Sequence, residues 1–267
     1  QERYLLADGA KERAHALRDH LERAFLNAQA GLLAESLTEG SPCPVCGSTH
    51  HPKRAVLPAE APTQARVDAA RQSADEADRA AVDTYRRSMH AAAEAGIRVF
   101  VVHPSYEPIG GDRPQRMERS RSNLALLVRE AESLGARLCV ENLPRTCLLN
   151  SSAEMIGCLK AVPGLYMCFD SNHLLGEANP DFLRLLYEAG LAGRIGNVHI
   201  SDYDFIDERH ELPGNGKNDW PAIIAGLEKL DYDGPFLYEP HANSPGRAVI
   251  TPAMVAESRD RLLGEGV

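Results

Sequence analysis

The sequence predicts an α/β protein: about five parallel strands with intervening helices, preceded by an α-helical hairpin. Two observations lead there. From about residue 84, short apolar runs alternate with helical stretches, the pattern of a parallel sheet with right-handed crossovers. Before that point, residues 1–83 form two Ala-, Arg- and acid-rich helical segments separated by a break rich in Pro and Gly. The expected domains are therefore 1–83 and 84–267.

The first segment, 1–40, carries Ala10, Ala14, Leu17, Leu21, Ala28 and Leu32 at three-and-four spacing, with Phe25 beside them. That is one apolar stripe on a long helix. The second, 64–82, has almost no large apolar residue, so it suits a thin antiparallel coiled-coil pair and not a broad core. Gly40, Pro42, Pro44, Gly47 and Pro52 interrupt the helical pattern between them, and Cys43 and Cys46 fall inside that break.

In the second part the apolar runs are 97–102, 138–140, 165–169, 195–200 and 236–238. Helical stretches are predicted near 84–95, 115–134, 152–161, 180–190, 220–230 and 251–263. The helix at 64–82 runs on into the one at 84–95, so the boundary is gradual.

Composition narrows the functional classes. No apolar run approaches the roughly 20 residues of a membrane span, and the polar N-terminus shows no signal peptide. A cytoplasmic protein is expected. The six cysteines lack the arrangement of a secreted disulfide framework: Cys139 and Cys168 lie in apolar runs and Cys43 and Cys46 form a close pair. Residues 1–90 hold 12 Lys+Arg against 13 Asp+Glu, so most of the net charge of −9 lies in the α/β part. An acidic surface argues against nucleic-acid binding.

Each apolar run ends in a residue fit for metal or acid–base chemistry: His103, Glu141, Asp170, His199 and Glu239, at intervals of 38, 29, 29 and 40 residues. Parallel strands bring such ends to one face. Carboxylates and imidazoles converging there need a cation between them, and an oxygen-rich set with imidazole suits Mn²⁺, Mg²⁺, Co²⁺ or Zn²⁺.

Val140-Glu141-Asn142, Phe169-Asp170-Ser171-Asn172-His173, His199-Ile200-Ser201-Asp202 and Tyr238-Glu239-Pro240 resemble successive motifs of the xylose-isomerase-like barrel superfamily, as does His210-Glu211-Leu212-Pro213-Gly214-Asn215-Gly216 followed by Trp220. The likeness covers about 84–263 and implies a partial (β/α) TIM-type barrel. It further implies Glu141, Asp170, His199 and Glu239 as metal ligands, with Glu141 and Glu239 as the proton-transfer pair of a sugar or sugar phosphate isomerase or epimerase working through an enediolate. His173 would act on a substrate oxygen. His103, His210 and Asn142 would line the substrate site, and Asp202 would support His199. A second possibility within the superfamily is phosphodiester hydrolysis of the endonuclease IV kind, kept open by His103, His173 and His210. Against it stand Leu143-Pro144-Arg145 after Asn142 and Glu208-Arg209-His210 in place of an Asp-x-His pair.

Cys43-Pro44-Val45-Cys46-Gly47, with Leu33–Leu37 before it and Gly47–Pro52 after it, resembles the zinc hook of SbcC-type ATPases. That likeness implies a zinc ion shared between two chains, each giving two thiolates, and hence a homodimer, unless His50 or His51 is recruited. No Gly-x-x-x-x-Gly-Lys-[Ser/Thr] occurs, so a purely structural reading is a zinc-linked dimeriser carrying an inert barrel remnant. A complete barrel has eight strands in about 250 residues, and five are found here. The explanations, in order, are a fusion or mis-assembled reading frame, completion of the core by dimerising through the open sheet, and cover from the N-terminal helices.

Overall fold

The structure is a computed structural model that describes residues 2–105, 113–241 and 249–264, with side chains from residue 9 onward. The chain divides into two compact units, 1–84 and 85–267.

In the first unit, helix α1 (Glu2–Glu35) lies beside helix α2, which runs without interruption over Gln64–Glu94. Leu21 packs on Val67 and Ala70, with Phe25 against them. His15 meets Asp78 at 3.0 Å and Glu22 meets Arg71 at 2.6 Å, which makes the pair antiparallel. The apolar stripe is narrower than its spacing implies. Leu17 and Leu32 stay about half exposed while His15 is buried. The facing side of α2 offers mostly Ala70, Ala74 and Ala81, too small to cover a wide stripe.

The second unit holds one sheet of five parallel strands in sequence order. They are β1 (Val99–Val102), β2 (Arg137–Glu141), β3 (Tyr166–Asp170), β4 (Ile195–Ile200) and β5 (Phe236–Tyr238). Between and after them come α3 (Arg113–Ser133), α4 (Ser152–Ala161), α5 (Asn179–Glu188), α6 (Trp220–Lys229) and α7 (Pro252–Leu263). The result is a half-barrel. One face of the strands carries Leu138, Val140, Met167, Phe169, Val198 and Ile200, buried as are the helical residues Leu127, Met155, Phe182, Leu183 and Ile223, and Phe169 meets Phe182 with ring centroids 6.1 Å apart. Burial of this apolar set supplies the main drive for folding of the unit. Among the described residues β1 and β5 each have one strand neighbour, and Val99, Phe236 and Leu237 on them are exposed.

Local signals fix the helix starts. Ser151, Asp219 and Thr251 accept from the backbone N–H of Glu154, Ala222 and Met254, and prolines occupy the first positions of α5, α6 and α7, where a missing N–H costs nothing.

The pairing of β3 with β4 slips by one residue: Met167 faces Ile195 and Cys168 faces Asn197. Gly196 occupies the extra position. A Cβ there would stand 2.7 Å from the Cys139 sulfur and 3.1 Å from the Tyr166 Cβ, so three strands close over a glycine. Gly196→Ala is expected to lower stability by about 1–3 kcal/mol. A urea titration that shows no shift in midpoint would contradict this packing.

Candidate metal centre at the strand ends

Side chains alternate across a strand, so the last inward position of each strand falls on the same rim. Glu141 ends β2, Asp170 ends β3, His199 is next to last in β4, and Glu239 follows β5. Asp170 and His199 are register partners. One donor atom from each of Glu141, Asp170, His199 and Glu239 lies within 4.8 Å of all the others. His199 Nδ1 stands 3.3 Å from Glu141 Oε1, 3.2 Å from Glu239 Oε2 and 3.9 Å from Asp170 Oδ2. Such separations suit atoms bound about 2.1 Å from a common centre.

Hydrogen bonds aim these groups. Asp170 Oδ1 accepts the Asn172 N–H at 2.6 Å, which turns Oδ2 toward the other carboxylates. Oδ2 and His199 Nδ1 are buried and have no hydrogen-bond partner among the described residues. Buried polar atoms are nearly always satisfied, so two orphans facing one cluster mark a place for a ligand. Burial, reinforced by the charge of Glu141, pushes the Asp170 carboxyl well above the usual range. Burial opposes the charge of His199, but the Cys168 sulfur, Glu141 and Glu239 outweigh it and hold the ring protonated. Glu141 is buried too, yet His103 and His199 keep it ionised well below the usual carboxylate range. These residues fit a divalent cation, which would replace the protons as the positive charge among the carboxylates.

The remaining candidates are placed as follows. His103, beyond β1, brings Nε2 to 3.4 Å from Glu141 and is partly exposed. His173 is buried, with Nδ1 2.8 Å from the Asn142 carbonyl and 3.5 Å from Glu141 Oε1. Burial lowers its pKa. His210 Nδ1 lies 3.1 Å from the Glu239 carbonyl and its ring stacks on His241 at 4.0 Å. His210 Nε2 stands 3.8 Å from Glu208. His173, Glu208 and His210 form a second group of donors within 4.8 Å of one another.

Two expectations fall on residues that do something else. Asn142 is wholly buried and uses both ends of its amide on the Asp170 backbone, donating to its carbonyl at 2.9 Å and accepting its N–H at 2.8 Å. It joins β2 to β3 at the rim. Among the described residues the hydrogen bonds of Asp202 go elsewhere than His199. Its oxygens accept from the N–H groups of Tyr203, Gly214 and Asn218 and from the Trp220 indole, at 2.9–3.0 Å, so it anchors the loop after β4.

Two further residues escaped sequence reasoning. Cys168 reads as an apolar strand residue, yet its sulfur joins Glu141 and His199 in a donor group. Its position two before Asp170 on β3 was the available signal. Glu208 reads as a departure from a nuclease ligand pair, yet it sits with His173 and His210, held at 2.6 Å by Arg145. Several residues around the site adopt positive φ without being glycine: Arg145, Leu149, Phe205 and His210, strain of the kind that collects where loops are tightly constrained.

Residues 61–262 match the family model described as the xylose isomerase-like TIM barrel. The chain belongs to this family. One curated relative, the uncharacterized protein MJ1311 of Methanocaldococcus jannaschii, is 28% identical over 160 residues, 57% of this chain and 54% of that protein. The SbcC component of the SbcCD nuclease of Vibrio cholerae is 43% identical over 61 residues, 23% of this chain but 6% of that protein. The chain thus spans about half of one curated relative and a small fraction of the other. Solved structures share the fold. A D-tagatose 3-epimerase-like protein superposes with TM-score 0.60 at 24% identity, over 72% of this chain and 70% of its own. The D-psicose 3-epimerase of Clostridium cellulolyticum H10 gives 0.58 at 17%, over 76% and 83%. The IOLI protein with a binding zinc atom gives 0.57 at 15%, over 70% of each. No helix among the described residues is long and apolar enough to cross a membrane.

Proposed function

We propose that this family member is a divalent-metal-dependent isomerase or epimerase acting on a sugar or sugar phosphate by proton transfer. The observation that carries the reading is the convergence of Glu141, Asp170, His199 and Glu239 on one point, with Asp170 Oδ2 and His199 Nδ1 buried and without a hydrogen-bond partner among the described residues. Those four residues would hold the cation, which when bound supplies Lewis-acid stabilisation of negative charge developing on a substrate oxygen.

The chain's own residues supply the proton chemistry. Glu141 is ionised and buried, the state a general base needs. It would take the proton from the carbon beside the substrate carbonyl. The electron pair of that C–H bond moves into the carbonyl to give an enediolate, and a proton relayed from solvent through Glu239 returns to the carbon. Return to the opposite face inverts the centre; return to the neighbouring carbon, with the hydroxyl proton passing from one substrate oxygen to the other, isomerises the sugar. Neither route needs an oxidant. Glu239 is the more exposed carboxylate and so the one able to exchange its proton with solvent. His103 and His173 flank Glu141 and would hold substrate hydroxyls. The fold neighbours named as ketose 3-epimerases make ketohexoses the first substrates to try.

The test is deuterium incorporation into a panel of ketoses and their phosphates in heavy water, with Mg²⁺, Mn²⁺, Co²⁺ or Zn²⁺ added. Metal-dependent labelling at the carbon beside the carbonyl supports the reading. Unlabelled sugars across the panel under all four metals count against it. One observation favours a second reading, metal-dependent phosphodiester hydrolysis: the separate donor group His173, Glu208 and His210 could hold another ion. Cleavage of abasic duplex DNA by the same preparation would decide for it.

Metal uptake should release protons. Burial and the charge of Glu141 shift Asp170 toward its protonated form, and, against burial, Cys168, Glu141 and Glu239 shift His199 the same way; any proton on either group must leave when it binds a cation. Apparent affinity therefore falls as pH falls, by up to about tenfold per pH unit for each proton displaced. Titration calorimetry in buffers of different ionisation enthalpy counts those protons. A count of zero would show that neither group carries a proton for the ion to displace.

A further inference from the structure

We propose that His210 is the positioning residue for Glu239: its ring clamps the rim of β5 to the loop after β4, and it acts through that carboxylate and not on substrate. The role rests on the proton-transfer reading of the strand ends and moves His210 from the substrate wall to the support of a catalytic group. Glu239 needs such support. It follows a strand that pairs with β4 alone among the described residues. The Glu239 N–H still reaches the Ile200 carbonyl at 3.0 Å. Beyond Ile200 the chain turns away, and Asp202 pairs antiparallel with Glu211. β4 thus stops short of the Glu239 carbonyl and the His241 N–H.

His210 meets both. Its carbonyl accepts the His241 N–H at 3.0 Å, and its ring Nδ1 stands 3.1 Å from the Glu239 carbonyl. A carbonyl can only accept, so Nδ1 carries a proton and donates it. The backbone N–H of His210, which would make this bond in an ordinary ladder, is committed to Asn172 Oδ1 at 3.2 Å. The ring therefore stands in for a strand's backbone donor. It also stacks on His241, with centroids 4.0 Å apart and planes 19° apart. His210 is 6% exposed and holds φ at 47°, a conformation that persists in a residue with a side chain only where its surroundings enforce it. The far nitrogen Nε2 faces Glu208 at 3.8 Å, and Arg145 holds Glu208 at 2.6 Å. Everything that fixes the ring fixes the backbone from which the Glu239 carboxylate reaches His199 Nδ1 at 3.2 Å.

Three variants of the full chain test this. His210→Asn puts an amide N–H where Nδ1 stood, and His210→Gln puts one where Nε2 stood. His210→Asp has the shape of asparagine and tolerates the same φ, but its oxygens cannot donate. Hydrogen exchange is read at the Glu239 and His241 amides of the metal-free protein, against the amides of β2 and β3 in the same sample, so that a general loss of stability cancels. Mn²⁺ affinity is read by titration, because this ion favours oxygen and imidazole donors over thiolates. His210→Asn should stay within about threefold of the parent in both measurements, whereas His210→Gln and His210→Asp should exchange those two amides about tenfold faster and bind Mn²⁺ about tenfold more weakly. The added charge of aspartate would by itself strengthen cation binding, so a loss there reports the missing donor. Two results would overturn the proposal. One is a His210→Asn variant that protects the two amides no better than His210→Gln or His210→Asp. The other is loosened amides with parental Mn²⁺ affinity, which would leave the ring a structural contact. Neither measurement needs turnover. Sugars that stay unlabelled would count against the isomerase reading, while the clamp would still be judged on amide exchange.

Discussion

Glu141→Gln should leave the fold unchanged and reduce deuterium exchange on a substrate sugar by roughly 10²–10⁴-fold, the range of a lost general base. The substitution keeps size and shape in a position where the side chain is only 3% exposed, so packing should survive. What it removes is charge. Glu141 Oε1 faces His199 and His173, and Oε2 faces His103. The amide can neither accept a proton from carbon nor balance a cation as a carboxylate does. Metal affinity should fall with turnover, and the two effects separate at saturating metal. There, a residual exchange rate still at least a hundredfold down assigns the base role. Recovery to the parent rate would leave Glu141 as a ligand and no more. The chemistry of the strand ends would then have to be assigned to another residue.

Asp202→Ala should cost roughly 3–5 kcal/mol of stability, read as a lower midpoint in urea. Asp202 is fully buried and its two oxygens receive four donors from Tyr203, Gly214, Asn218 and Trp220. Removing the carboxylate leaves the Tyr203 N–H and the Trp220 indole in a dry interior, at about 1–3 kcal/mol each before the loop relaxes. The loop carries Glu208 and His210, and its far side is tied to Asp202 again through paired backbone bonds with Glu211 at 2.8 and 2.9 Å. Loss of metal affinity should therefore accompany the loss of stability, although Asp202 touches no ion. A variant within about 1 kcal/mol of the parent would show that water replaces the carboxylate freely.

Much of the α/β unit is readable from residues alone. The runs at 195–200 and 236–238 are strands to the residue, and 152–161 is helix α4 to the residue, because turn residues bound short apolar runs on both sides. Starts are less legible where a helix ends just before a strand. Ile97 is apolar but its N–H closes the end of α2 on the Ala92 carbonyl, with Gly96 at φ 86°, so β1 begins at Val99. Leu165 likewise bonds back to Val162. The convergence of strand-end acids and imidazoles was legible for the same reason the strands were: parallel order and alternation fix where those positions point. Roles that depend on loop closure were not. Nothing in the residue type of Asn142 or Asp202 says that a backbone from elsewhere will occupy it, and nothing local to Cys168 or Glu208 announces the imidazoles they meet.

Glu239 sits just beyond the shortest strand, and that strand has a single neighbour, β4. Phe236 and Leu237 beside it lie open to solvent. Such a margin frays more readily than the interior strands, whereas Glu141 and Asp170 are fastened from both sides. An ion gripping all four residues would therefore staple the frayed margin to the rigid middle. Occupancy and local order become one linked equilibrium: tightening β5 raises affinity for the ion, and the ion in turn quiets β5.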